Sequence, residues 1–176
     1  MKQAKRNPFL QRQHQQFTLW LDVQSQAAGL PEQADFYRWA WQTLKSDYRH
    51  AQIGIMLCDE GEARALNRDY RGKDYATNVL SFALNEGEAL HHAVSGSPQA
   101  ARLVGDMVFC PQVVAQEAAA QGKTLAQHYA HLTVHGVLHL MGYDHIDEAE
   151  AEAMEALEIR ILNQLGYADP YLEDPS

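Results

Sequence analysis

Apolar and polar positions change period along the chain, and each change marks an element. Residues 17–23 (FTLWLDV) alternate apolar with polar, the two-residue period of a strand. After Pro31, Phe36, Ala40 and Leu44 recur every four residues, which predicts a helix with proline in its favoured first turn. A second strand follows at 51–59 (AQIGIMLCD), with Ile53, Ile55 and Leu57 on one face. Residues 60–72 (EGEARALNRDYRG) predict a short helix that Gly72 closes in a left-handed conformation. Further strands are expected at 77–84 (TNVLSFAL) and 103–110 (LVGDMVFC). The stretch between them, 85–101, is rich in glycine, serine and small residues and is expected to be a mobile surface loop.

From residue 111 the period is helical. One helix runs from Pro111 to Gly122, a second spans 124–141, and a third spans 147–166 with Asp147 as N-cap and Gly166 as stop. Four strands and five helices that do not strictly alternate predict an α+β fold rather than a doubly wound one. The expected architecture is a single domain in which a mixed sheet of about four strands packs with about five helices, the 124–141 helix being central.

Composition narrows the class. The 176 residues are 46% hydrophobic and 21% charged, the balance of an ordinary globular domain with a real core. No run approaches the roughly 18 apolar residues of a membrane span, and the N-terminus has basic residues without the apolar stretch of a signal peptide. Only Cys58 and Cys110 occur, each in an apolar run, so buried free thiols in a reducing cytoplasm are expected rather than a disulfide framework. A cytoplasmic protein with no membrane partner follows. The net charge of −9 argues against nucleic-acid binding through bulk charge. The charge is uneven, however: acid concentrates in 147–158 (DEAEAEAMEALE), while Arg64, Arg68, Arg71 and Lys73 form a local basic strip.

The chemistry concentrates in residues 135–145, HGVLHLMGYDH. His135 and His139 are one helical turn apart, so their imidazoles project from one face about 6 Å apart along the axis. A straight helix cannot bring a third side chain round the same ion. Gly142 lets the backbone leave the helix, so His145 can swing beneath the pair. Three neutral nitrogens with an open fourth position form the layout of a catalytic zinc site, one ion per chain. His131 lies on the same stripe and competes as a ligand. It is about 12 Å of helical rise from His139, too far for both to hold one ion, so a packing role beside the site is expected of it. His128, one turn further back, is expected to be solvated.

Zinc proteases of the H-E-x-x-H type carry a glutamate base where this chain has Gly136. Peptide hydrolysis is therefore disfavoured. Asp144, which also suits a turn, and Asp106, a carboxylate in an apolar strand, are the weaker candidates for a replacement carboxylate.

These blocks bear on a family. VHGVLHLMGYDH (134–145) resembles the signature of the YbeY family, the bacterial endoribonucleases of rRNA maturation. LNRDYRGKDYATNVLSF (66–82) resembles that family's arginine-containing segment, and GDMVFC (105–110) and MEALEIRILNQLGYADPY (154–171) match further landmarks in order. The resemblance covers nearly all the chain after residue 17 and implies that residues 1–16 are a variable extension and 17–176 the enzymatic domain. It implies zinc ligation by His135, His139 and His145, and a catalytic role for Arg71. It also implies a single-strand-specific endoribonuclease acting on ribosomal RNA and on 30S and 70S ribosome components, in 16S rRNA 3′-end maturation and ribosome quality control. Where the family often reads T-D-V-L-S-F, this chain carries Asn78, which argues against a catalytic carboxylate there. Apart from that resemblance, Arg71 reads as an exposed helix-end cation stabilised by the macrodipole.

Two other functions remain open on the sequence. One is a non-catalytic, metal-stabilised ribosome assembly factor whose acidic last helix docks a basic ribosomal protein. The other is a divergent metallohydrolase acting on a peptide or small molecule.

Overall fold

The structure, a computed structural model, describes residues 16–44, 48, 50–84 and 102–172. The loop expected at 85–101, and all but the last residue of the extension expected at 1–16, lie outside the described residues. Residue 16 itself belongs to the first strand.

Four strands, β1 (Gln16–Val23), β2 (His50–Leu57), β3 (Val79–Ala83) and β4 (Arg102–Phe109), form one sheet in the order β1-β2-β4-β3. The first two pairings are parallel and the β3–β4 pairing is antiparallel, so the sheet is mixed as the α+β expectation required. Five helices accompany it: α1 (Gln33–Leu44), α2 (Glu60–Arg71), α3 (Pro111–Ala120), α4 (Leu125–Leu140) and α5 (Glu148–Gln164). The strand expected at 77–84 starts two residues late, because the Asn78 side-chain oxygen accepts from the Val79 N–H at 2.6 Å and makes residue 78 a turn residue.

Alternation along the strands divides the sheet into two faces. Ile53, Ile55, Leu57, Met107 and Phe109 face a core shared with α1, α4 and α5. At its centre Phe36, Phe109 and Tyr129 pack with ring centroids 5.4–6.0 Å apart. The opposite face holds a smaller cluster, in which Ala63 and Leu66 of α2 cover Leu80, Val108, Cys58 and Cys110. Both cysteines are free and buried; burial, aided by Cys110, Glu62 and Asp59, pushes the Cys58 thiol up to about 11. Among the described residues no helix is long and apolar enough to cross a membrane.

Candidate metal centre

Helix α4 is enclosed by the sheet, α1, α3 and α5 and is buried on most of its circumference. It begins with a capping box: Thr124 accepts from the Gln127 N–H, and the Gln127 side chain accepts from the Thr124 N–H. His131, His135 and His139, spaced at four residues, form its half-open stripe. At the far end Gly142 adopts φ +97°, and the N–H groups of Gly142 and Tyr143 close back onto the carbonyls of His139 and Leu138. The chain therefore doubles back, and one ligand atom from each of His135, His139 and His145 falls within 4.8 Å of the other two.

Hydrogen bonds decide which nitrogen each ring presents. His135 Nδ1 lies 2.6 Å from the Glu158 carboxylate, and His139 Nδ1 lies 2.9 Å from the Tyr143 carbonyl. Both partners only accept, so each Nδ1 carries the proton. The two Nε2 atoms then face each other with bare lone pairs, 3.1 Å apart. That opposition is unfavourable unless a cation lies between them. Burial, and then the neighbouring His135 and His145, hold the His139 imidazole down at about 4, which keeps it neutral and able to ligate. The donor set thus fits a metal ion that favours nitrogen ligands, with His145 exposed on the solvent side.

Glu158 of α5 supports this arrangement. It is fully buried and receives His135, His131 at 3.1 Å, and the Tyr171 hydroxyl. Burial alone would raise its pKa, yet the hydrogen bonds from His131, His135 and Tyr171 hold it at about 2. A carboxylate behind a ligating histidine sets the ring's orientation and raises its basicity. The expectation from sequence treated 147–158 as one acidic surface and missed this residue. Its signal was there: Met154, Glu158, Ile161 and Leu162 share the buried stripe of α5.

The other candidates separate. His131 points its Nε2 at Glu158 and stays outside the ligand cluster. His128 is not solvated as expected: it is buried, and its Nε2 lies 2.7 Å from Glu117, because α3 packs against this turn of α4. Asp144 accepts from the His145 N–H at 2.8 Å, a turn role. Asp106 stands on the opposite sheet face, in a groove with Trp20, Tyr70 and Phe82, away from the triad. Arg71 ends α2, exposed; Arg64 and Arg68 pair with Asp74 and Asp69, but Arg71 has no carboxylate partner among the described residues. The segment after it returns to Asn78, on the wall of a cleft of about 850 Å³ that opens at His135.

Gly136 faces the sheet. A Cβ there would press on the end of Met107 and lie 2.9 Å from Ser81 Oγ. A methionine tip can swing aside for one methyl, but the remaining atoms of a glutamate have no room. The glycine is a packing requirement of the central helix, not a lost base.

An α+β domain with three histidines clustered at the end of a buried helix has the donor set of a site that could hold a metal ion. The family model described as Endoribonuclease YbeY matches residues 22–166, and the chain belongs to that family. An Endoribonuclease YbeY of Neisseria gonorrhoeae is 62% identical over 174 residues, covering 99% of both chains. The Chromobacterium violaceum protein of the same name is 58% identical, again over 99% of each. A solution structure of a Thermotoga maritima protein shares the fold at 21% identity, with a TM-score of 0.55 over 90% of this chain and 99% of that one.

Proposed function

We propose that this chain is a zinc-dependent, single-strand-specific endoribonuclease of the cytoplasm, acting late in the maturation of the 16S rRNA 3′ end and in ribosome quality control. The observation that carries the reading is the pair of opposed Nε2 lone pairs of His135 and His139, with His145 beside them, His135 also lining an adjoining cleft. Zinc bound there would supply a Lewis acid for the phosphodiester oxygens. The remaining work falls to the chain itself. Glu158 and the Tyr143 carbonyl keep His135 and His139 in the ligating tautomer. Arg71, uncommitted to any carboxylate among the described residues, pairs with non-bridging oxygens as negative charge builds on them. The RNA 2′-OH serves as the attacking group: its oxygen bonds to phosphorus as the P–O5′ bond breaks, and its proton is lost as the departing 5′-oxygen gains one. The products are a 2′,3′-cyclic phosphate and a 5′-hydroxyl, so the protease-type activation of a water from position 136 is not part of the step. With a net charge of −9, affinity for free RNA is weak and salt-sensitive, and 30S or 70S ribosome components supply the rest of the recognition.

Metal analysis and RNA cleavage on wild type, Arg71→Ala and His139→Ala test this. One zinc per chain is expected in wild type and Arg71→Ala and not in His139→Ala, with cleavage strongly reduced in Arg71→Ala and lost in His139→Ala. Full cleavage by a metal-free triple-histidine variant overturns the reading. A 2′,3′-cyclic phosphate product identifies the 2′-OH as nucleophile; a 5′-phosphate identifies water.

The exposed row Glu148, Glu150, Glu152 and Glu155 on α5 favours a second reading, an assembly factor that docks a basic ribosomal protein without cleaving RNA. Growth complementation by Arg71→Ala at wild-type level would select it.

A further inference from the structure

The cleft that opens at His135 does not end at the metal ligands. It continues past His131 and Leu132 to Asn78, Glu117 and His128, enclosing about 850 Å³, a volume typical of small-molecule sites. The carboxylate at its far end is held in place. Asn78 Nδ2 lies 3.0 and 3.2 Å from the two Glu117 oxygens, and His128 Nε2 lies 2.7 Å from Oε2. Asn78 cannot reverse its amide, because its oxygen already accepts from the Val79 N–H. Burial keeps His128 below its usual range against the pull of Glu117, so a neutral ring donates its Nε2–H. Glu117 is one-third exposed (34%), with acceptor capacity left for the cleft.

The metal chemistry makes no use of this group. His128 precedes His135 by seven residues, about 10.5 Å of helical rise. That separation is on the scale of one nucleotide, from its phosphate to the far edge of its base. A phosphate is repelled by the carboxylate, and the Lys123 ammonium on the same wall is already held by Gln121 and the Pro170 carbonyl, so a base is what fits beside Glu117. A carboxylate only accepts, and guanine alone offers two adjacent N–H donors, N1–H and N2–H, on its Watson–Crick edge. Adenine and cytosine set an acceptor nitrogen beside their amine, and uracil sets carbonyls on both sides of its single N–H. Tyr171, partly exposed on the cleft wall, supplies a ring for the base to stack on.

We propose that Glu117 binds the donor edge of a guanine in the nucleotide next to the scissile phosphate, making this end of the cleft a base-specificity subsite. The assignment rests on the endoribonuclease reading above. Its test uses single-stranded oligoadenylates carrying one guanosine, or one inosine in its place, cut by zinc-loaded full-length protein and mapped by product size. Wild type is expected to cut beside guanosine on the order of tenfold more than at adenosine–adenosine bonds, with inosine, which keeps N1–H but loses the amine, in between. In Glu117→Gln, whose amide offers one acceptor and one donor, the ratio falls toward one. Even cutting along both strands by wild type overturns the subsite, and so does an undiminished guanosine preference in Glu117→Gln. The inosine comparison needs no variant, so a folding defect in Glu117→Gln does not decide the matter. Absence of cleavage on every RNA tested would sink the endoribonuclease reading itself, and the subsite with it.

Discussion

Glu158 Oε1 lies 2.6 Å from His135 Nδ1, so a carboxylate on the last helix aims a clustered histidine on the central one. Replacing Glu158 with glutamine removes the charge and half of its acceptor capacity. Zinc affinity is expected to fall roughly 10- to 100-fold, the usual effect of losing such a partner. Competition with a chromophoric chelator measures it. Unchanged affinity would show that the histidine is aimed by packing alone.

Acid acts on the metal-free protein through two groups of the same sign. His139 sits at about 4 against an ordinary 6.5, so the folded state refuses a proton that the unfolded chain takes. Its contribution is present above pH 6.5 and is lost as pH falls toward 4. Glu158 sits at about 2 against 4.5, and its contribution is lost as pH falls below 4.5 toward 2. Thermal denaturation of chelated protein should therefore show Tm dropping steadily below about pH 6.5. A flat profile down to pH 4 contradicts the His139 environment described above.

Arg71→Ala separates chemistry from folding. The side chain is exposed and has no carboxylate partner among the described residues, so stability should change by less than about 0.5 kcal/mol. Cleavage should fall by roughly 10²–10³, the scale for removing one transition-state donor. Single-turnover RNA cleavage beside urea denaturation of the same preparation checks both halves.

Gly136→Glu, which restores the protease-like motif, should destabilise rather than convert the protein. The side chain would enter a buried position against Met107 and Ser81 and carry a charge with it. A loss of about 3 kcal/mol or more is expected from overpacking and charge burial. Urea denaturation tests this. A stable variant with new peptidase activity would contradict the packing account.

The clustering of His135, His139 and His145 was legible because its geometry is local. A four-residue spacing and a glycine that reverses the chain sit within eleven residues, and Gly142 does adopt the left-handed turn. Element order was legible for a similar reason, since each period and each stop signal lies within a dozen residues. Glu158 was not legible, because its meaning depends on α5 packing on α4 across 23 residues of chain. Within an acidic run it looks like its exposed neighbours until the apolar stripe of Met154, Ile161 and Leu162 is laid beside it. His128 failed for the same reason in reverse: a polar residue reads as solvated until α3 covers it with Glu117.

Tyr171, near the end of the chain, donates its hydroxyl to the same carboxylate that aims His135. Translation runs from the N-terminus, so the histidine stripe on α4 leaves the ribosome before either Glu158 or Tyr171 does. A chain made only as far as α4 holds these histidines without the group that orients them. The orientation of the histidine cluster is therefore complete only once α5 and Tyr171 have been made and packed against α4.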